Sequence, residues 1–255
     1  DEIKQEEPYI FDEHDMHAEW KYIERLDERL SETDAIPIAV GSGTINDLVK
    51  LSATHTQRPY TCVATAASMD GYTSYGASIT KDCAKQTFSC SAPKAVIADL
   101  EILSTAPMEM TAGGYADLFA KIPAGADWII ADALDIEPID KLAFSIVQDG
   151  LHHALGNPTG LREGNRNALK HLTEGLMLGG FAIQAYPASS RPASVGEHQF
   201  SHLRDMTNFV VENGIATSDG VKVSIGTLVS IACYKLIRKS DIKHLDIEQC
   251  LKAWP

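Results

Sequence analysis

The stretch AIPIAVGSGTINDLVK (35–50) decides the fold class. Ala35 to Val40 is an apolar, partly β-branched run that stops at Gly41-Ser42-Gly43-Thr44, after which Ile45, Leu48, Val49 and Leu51 recur at helical spacing. That change of period predicts a strand, a tight glycine turn and a helix. Upstream, His17 to Leu30 spaces Trp20, Ile23, Leu26 and Leu30 between charges, which predicts an amphipathic helix after the short apolar run Tyr9 to Phe11. Downstream of Pro59, Tyr60 to Ala64 reads as a further strand. Alternating helix and strand imply a parallel sheet with helices on its faces.

Pro93 to Leu103 (PKAVIADLEIL) reads as one more buried strand, closing at Ala106-Pro107. Beyond it strand signals almost vanish, and helices are predicted over Ala112 to Lys121, Leu142 to Leu155, Arg166 to Ala185, Glu197 to Val211 and Val223 to Ile237. The expected architecture is an α/β unit over 1–105 followed by an all-helical unit over 106–255. Ligands are expected in the cleft between them.

The chain has 255 residues, 44% hydrophobic and 22% charged, which excludes a disordered, collagen-like or disulfide-stapled chain. Its five cysteines, Cys62, Cys83, Cys90, Cys233 and Cys250, form no CxxC pair and are read as reduced, buried apolar side chains. Thirty-five acidic against 22 basic residues give a formal charge of -13, which opposes non-specific nucleic-acid binding. No apolar run is read as approaching the ~20 residues of a membrane span, and Asp1 to Pro8 is acidic where a secretory signal is basic. A cytoplasmic protein is expected.

Three motifs carry chemistry. Gly41-Ser42-Gly43-Thr44 would let backbone N–H groups at a helix N-terminus approach an anion such as a pyrophosphate, although glycine turns also join strands to helices for steric reasons alone. TAASMDGYTS (65–74) follows a strand at its carboxyl end, where open α/β sheets bind ligands, and is equally readable as a polar turn. In EHQFSH (197–202), His198 and His202 share a helix face at a usable metal-ligand spacing, while Asp117 interrupts an otherwise apolar helix and needs a cation or hydrogen bonds. Ser194 is placed to cap the histidine helix, and Arg191 and Lys222 are candidates to hold an anion.

Taken in order, GSGTINDLVK (41–50), TAASMDGYTS (65–74), AGGYADLFAKIPAGADW (112–128), SSRPASVGEHQFSH (189–202) and KVSIGTL (222–228) resemble the sn-glycerol-1-phosphate dehydrogenase family. That family lies within the iron-containing alcohol dehydrogenase and dehydroquinate synthase superfamily, and its bacterial branch is the nearer match. The resemblance implies a Rossmann-like dinucleotide domain over 1–105, apparently incomplete, and a helical metal and substrate domain over 106–255. It implies NAD(P)-dependent, reversible reduction of dihydroxyacetone phosphate to sn-glycerol 1-phosphate, assisted by zinc or nickel. Carried over by motif, cofactor contacts fall on Gly43, Thr44, Ile45, Asn46 and Asp47, on Thr65, Ala66, Ala67 and Ser68, and on Ser74. Asp70, Asp117 and His202 would meet the substrate, His202 as a proton relay, and Asp117 and His198 would bind metal. The partner implied is a small phosphorylated substrate, with no nucleic acid and no membrane span, and a homo-oligomer is a family expectation.

Two departures qualify the resemblance. Where the family has a His-Gly pair before KVxIGT, this chain has Ser218-Asp219-Gly220-Val221-Lys222. Either Asp219 ligates through oxygen, giving a one-histidine, two-carboxylate site, or the metal is lost. Family members also carry further strands and helices before the region matching Tyr9 and more helix beyond Pro255, so the resemblance implies a longer chain. The segment that distinguishes NAD from NADP would lie there. Glycerol dehydrogenase, dehydroquinate synthase and a non-catalytic nucleotide- or metabolite-binding relative are the rival readings.

Overall fold

The computed structural model describes residues 4–13, 16–82, 84–206, 219–241, 244 and 246–253, with the side chains of 204–206 and 219 outside that description. Helix α1 (Trp20–Ser31) buries Tyr22, Ile23 and Leu26. Strand β1 (Ile38–Gly41) then leads within two residues into α2 (Gly43–His55), as the glycine turn predicts. Strand β2 (Thr61–Ala64) pairs in parallel with β1, Ala39 opposite Cys62. An antiparallel hairpin follows, β3 (Ala77–Lys81) with β4 (Ala84–Phe88), and then β5 (Ala95–Ile97), parallel to β2. The parallel sheet has the order β1-β2-β5, and α2 packs against β1 and β2.

Register places Ile38 and Val40 with Thr61, Val63, Ala95 and Ile97 on one sheet face, and Ala39, Cys62, Ala64 and Val96 on the other. Ala39, Cys62 and Ala64 are buried, but Ile38, Val40 and Ile97 are each more than half exposed. One face of this sheet is therefore covered and the other is open.

After β5 the described residues form helices: α3 (Leu100–Ser104), α4 (Met108–Ala133), α5 (Lys141–Ala154), α6 (Pro158–Arg162), α7 (Arg166–Ala185), α8 (Gly196–Met206), α9 (Asp219–Lys239) and α10 (Ile247–Ala253). Helix α4 packs against α5, α7, α8 and α9. The apolar core is continuous from Ile23 and Leu48 through Tyr72 to Leu118, Leu172 and Leu176, so it crosses residue 105 without a break.

Several expectations are corrected. Pro93 to Leu103 is not one buried strand. The strand ends at Ile97 because the Asp99 side chain accepts the Glu101 N–H (2.7 Å) and opens α3. The β3–β4 hairpin was not expected, because its residues are largely polar and only Ala77 and Ile79 are buried. Helix α4 runs through Pro123 rather than stopping at Lys121, and the Gln148 side chain of α5 donates to the Lys121 carbonyl (2.9 Å). Cys62 and Cys90 are buried, and burial pushes their thiols up to about 11 and about 12, whereas Cys233 and Cys250 are exposed. Cys83 lies outside the described residues, as do 207–211 of the predicted histidine helix. One helical stretch, Gly220–Lys239, with a mean hydropathy of 1.4, is long and apolar enough to cross a membrane, where no such run was expected. Its valines, isoleucines and leucines raise the average, while lysine, serine, glycine and threonine interrupt any continuous apolar run, and the helix packs on α4 and α8.

Candidate active site

Two turns meet at the carboxyl edge of the sheet. Thr65, just past β2, donates its N–H to the carbonyl of Gly41 at the end of β1 (3.1 Å), and Gly43 packs so closely on Met69 that a Cβ there would collide with it. The N-terminus of α2 carries no side-chain cap, which leaves the N–H groups of its first turn for a ligand. Asn46 and Asp47 turn inward instead. The Asn46 amide donates to the Gly71 carbonyl (3.2 Å) and accepts from the Tyr60 hydroxyl (3.1 Å), and Asp47 accepts the Ser78 N–H (3.1 Å).

Lys50, which drew no attention in the sequence, is fully buried and donates to the carbonyls of Gly71 (2.8 Å), Ser74 (3.1 Å) and Gly76 (3.0 Å). It fastens 71–76 onto α2. Within the loop the Tyr72 hydroxyl donates to the Ala66 carbonyl (2.7 Å) and lies 3.3 Å from that of Ser68, and Ser74 Oγ donates to Gly71 (3.0 Å). Thr73 donates to the Met177 carbonyl of α7 (2.7 Å). On the other side, a Cβ on Gly114 of α4 would collide with the Ala67 carbonyl, so only glycine lets helix and loop approach this closely.

That approach delivers Asp70 to α4. Its N–H donates to Asp117 Oδ2 (2.9 Å), and Lys121 Nζ lies 2.8 Å from both Asp117 Oδ1 and Asp70 Oδ2. Lys121 is fully buried one turn after Asp117. From α8, His198 Nε2 comes within 3.6 Å of Asp117 Oδ1, and His198 Nδ1 lies 2.7 Å from Glu197 Oε1. His202 stands half-buried one turn further along α8.

The charges respond to this crowding. Burial works against ionising Asp117, but Lys121 and His198 outweigh it and hold the carboxyl well below its usual range. Burial likewise opposes the charge on Lys121, and Asp117 and Asp70 overcome it, so its pKa is raised. Asp70 is pushed up, by burial first and by the Asp117 charge second. Burial disfavours the His198 imidazolium, yet Asp117 and Glu197 raise it to about 9.

Among the described residues no three His, Cys, Asp or Glu side chains gather as a metal-binding group, but Asp117 and His198 together offer two donors. Two donors each about 2.1 Å from a tetrahedral ion lie roughly 3.4 Å apart, close to the observed Asp117–His198 spacing. Asp70 and Asp117 face Lys121, and Glu197 faces His198. A third donor would come from α9. Gly220 packs onto the backbone of Gly113, one turn before Asp117, which brings the start of α9 against the ligand helix, while the side chain of Asp219 lies outside the described residues. Arg191 is held by Glu137 (2.8 Å), and Lys222 is buried. Lys50, Lys121 and Glu197 were missed, and only the Asp117–Lys121 spacing of one helical turn offered a signal.

Residues 2–107 match the profile of a family described as iron-containing alcohol dehydrogenase. The chain is 35% identical over 204 residues to glycerol-1-phosphate dehydrogenase [NAD(P)+] of Halalkalibacterium halodurans, a match covering 80% of this chain and 50% of that protein. It is 34% identical over 206 residues to the protein of the same name from Bacillus subtilis, covering 81% and 52%. The chain thus spans about half the length of the curated relatives it matches. Glycerol dehydrogenase from Schizosaccharomyces pombe shares the fold, with a TM-score of 0.64 at 19% identity, over 82% of this chain and 54% of that one. The fold is that of the iron-containing alcohol dehydrogenases, a Rossmann-like α/β part followed by helices.

Proposed function

We propose that this chain is the core of an NAD(P)-dependent, metal-assisted glycerol-1-phosphate dehydrogenase, with 1–105 serving the cofactor and 106–255 the metal and substrate. The observation that carries the reading is the meeting of Asp70, Asp117, Lys121 and His198, drawn from a sheet-edge loop and two helices, in a chain about one-third identical to enzymes of that name. Asp117 and His198 would hold zinc or nickel, with Asp219 as the third donor.

When bound, the metal would polarise the substrate carbonyl and the reduced nicotinamide would supply hydride. The chain's own groups do the rest. The first turn of α2 offers its N–H groups to the cofactor's phosphates, across from the 65–74 loop. Lys121 fixes the Asp70 and Asp117 carboxylates relative to each other, so that Asp70 is held ready to accept a hydrogen bond from a substrate hydroxyl. His202, one turn from His198, is assigned the proton that passes to the carbonyl oxygen. A cytoplasmic, homo-oligomeric enzyme is part of the same reading.

The test is the absorbance of NADH or NADPH when chelator-stripped protein meets dihydroxyacetone phosphate with zinc, nickel or no metal restored. Metal-dependent loss of absorbance is expected, with free dihydroxyacetone and dehydroquinate-synthase substrates inert. No turnover with any divalent metal in folded protein overturns the proposal.

A further inference from the structure

Glu197 has no solvent exposure, yet it is a carboxylate. Burying such a charge is costly unless hydrogen bonds and counter-charges compensate it. Its Oε1 takes the Val195 N–H (2.9 Å) and faces His198 Nδ1 (2.7 Å), while Oε2 is buried and finds no hydrogen-bond partner among the described residues. The seal over it comes from α9, where a Cβ on Gly226 would collide with the Glu197 carbonyl, so that helix closes directly on the first turn of α8. A buried, charged group whose side-chain partner is one imidazole nitrogen acts on that imidazole.

We infer that Glu197 is a positioning residue for His198: it accepts the Nδ1–H, fixes that tautomer, and thereby presents the Nε2 lone pair toward Asp117 as a metal ligand. This rests on the metal site proposed above. Carboxylates that hold the remote nitrogen of a ligating histidine orient the ring and raise its basicity, and losing one typically costs about 10–100-fold in metal affinity.

The test is calorimetric titration of Zn²⁺ alone into the chelator-stripped chain, its Glu197→Gln variant and its His198→Ala variant, alongside the thermal midpoint of each metal-free protein. The expected result is Zn²⁺ binding by the parent chain and about 10–100-fold weaker binding by Glu197→Gln at an unchanged metal-free midpoint. A purely structural glutamate would lower the midpoint and leave the affinity of the folded fraction alone, and equal affinities overturn the inference. Binding by the parent chain no tighter than by His198→Ala overturns the metal site itself, and the inference with it. Should Glu197→Gln fail to fold, Glu197→Asp retracts the carboxylate by one methylene. It is expected to bind more weakly, and parent-like binding by that variant overturns the assignment.

Discussion

Replacing Lys121 by methionine would keep its bulk and remove the ammonium that lies 2.8 Å from both Asp70 and Asp117. Two buried carboxylates would then face each other without that cation. Breaking a buried pair from one side costs about 3–5 kcal/mol, so Lys121→Met should lower the urea-unfolding free energy by about that much. A midpoint like that of the parent would show that the pair adds nothing. Asp117 and His198 were each named from the sequence, because an acidic residue in an apolar helix or a paired-histidine spacing is visible in one dimension, whereas Asp70 came only with the family resemblance. Lys121, Lys50 and Glu197 were not, since each looks like an ordinary surface charge until another element covers it. What marks them is burial, and burial is decided by neighbours distant in sequence.

Elements were legible where their own period and caps define them, and illegible where a partner does. The strand–glycine–helix passage from β1 to α2 follows from residues 38–55 alone, and α7 runs over the predicted Arg166–Ala185. The Asp99 cap and the continuation of α4 past Pro123 escaped notice. The first was hidden inside an apolar run, and the second runs past a proline, a residue that disfavours a helix interior. Contact between elements also sets a prediction. In Gly114→Ala the new methyl would strike the Ala67 carbonyl, which belongs to backbone and cannot rotate away. The 65–74 loop would have to shift from α4. Overpacking of this kind costs about 1–3 kcal/mol, readable as a lower denaturation midpoint, and NADH affinity measured by fluorescence should weaken in parallel. If both stay at parent values, the close approach is not required.

At the scale of the molecule the sheet is unusual in being covered on one face only. Parallel sheets bury both faces, yet here Ile36, Ile38 and Val40 are each about 60% exposed and Ile97 is 53% exposed. A contiguous apolar patch of this kind promotes association. Protein of these 255 residues is therefore expected to self-associate as its concentration rises, and Ile38→Thr with Val40→Thr, which keep strand propensity, should raise the monomer fraction in light scattering. An unchanged distribution would remove the face from consideration.

By itself the sequence determined the parallel α/β beginning, the helical remainder, the glycine turn at a helix start and the acidic and histidine residues from which a metal site would be built. These depend on interactions a few residues long, such as side-chain period, caps and local backbone freedom. Only the tertiary structure decided that Asp70, Asp117 and His198 share a few ångströms, that lysines fasten the cofactor loop and the paired carboxylates, and that one core runs unbroken past residue 105. Those facts depend on which groups lose water together. Desolvation is a property of the packed chain in three dimensions, and no window of sequence contains it.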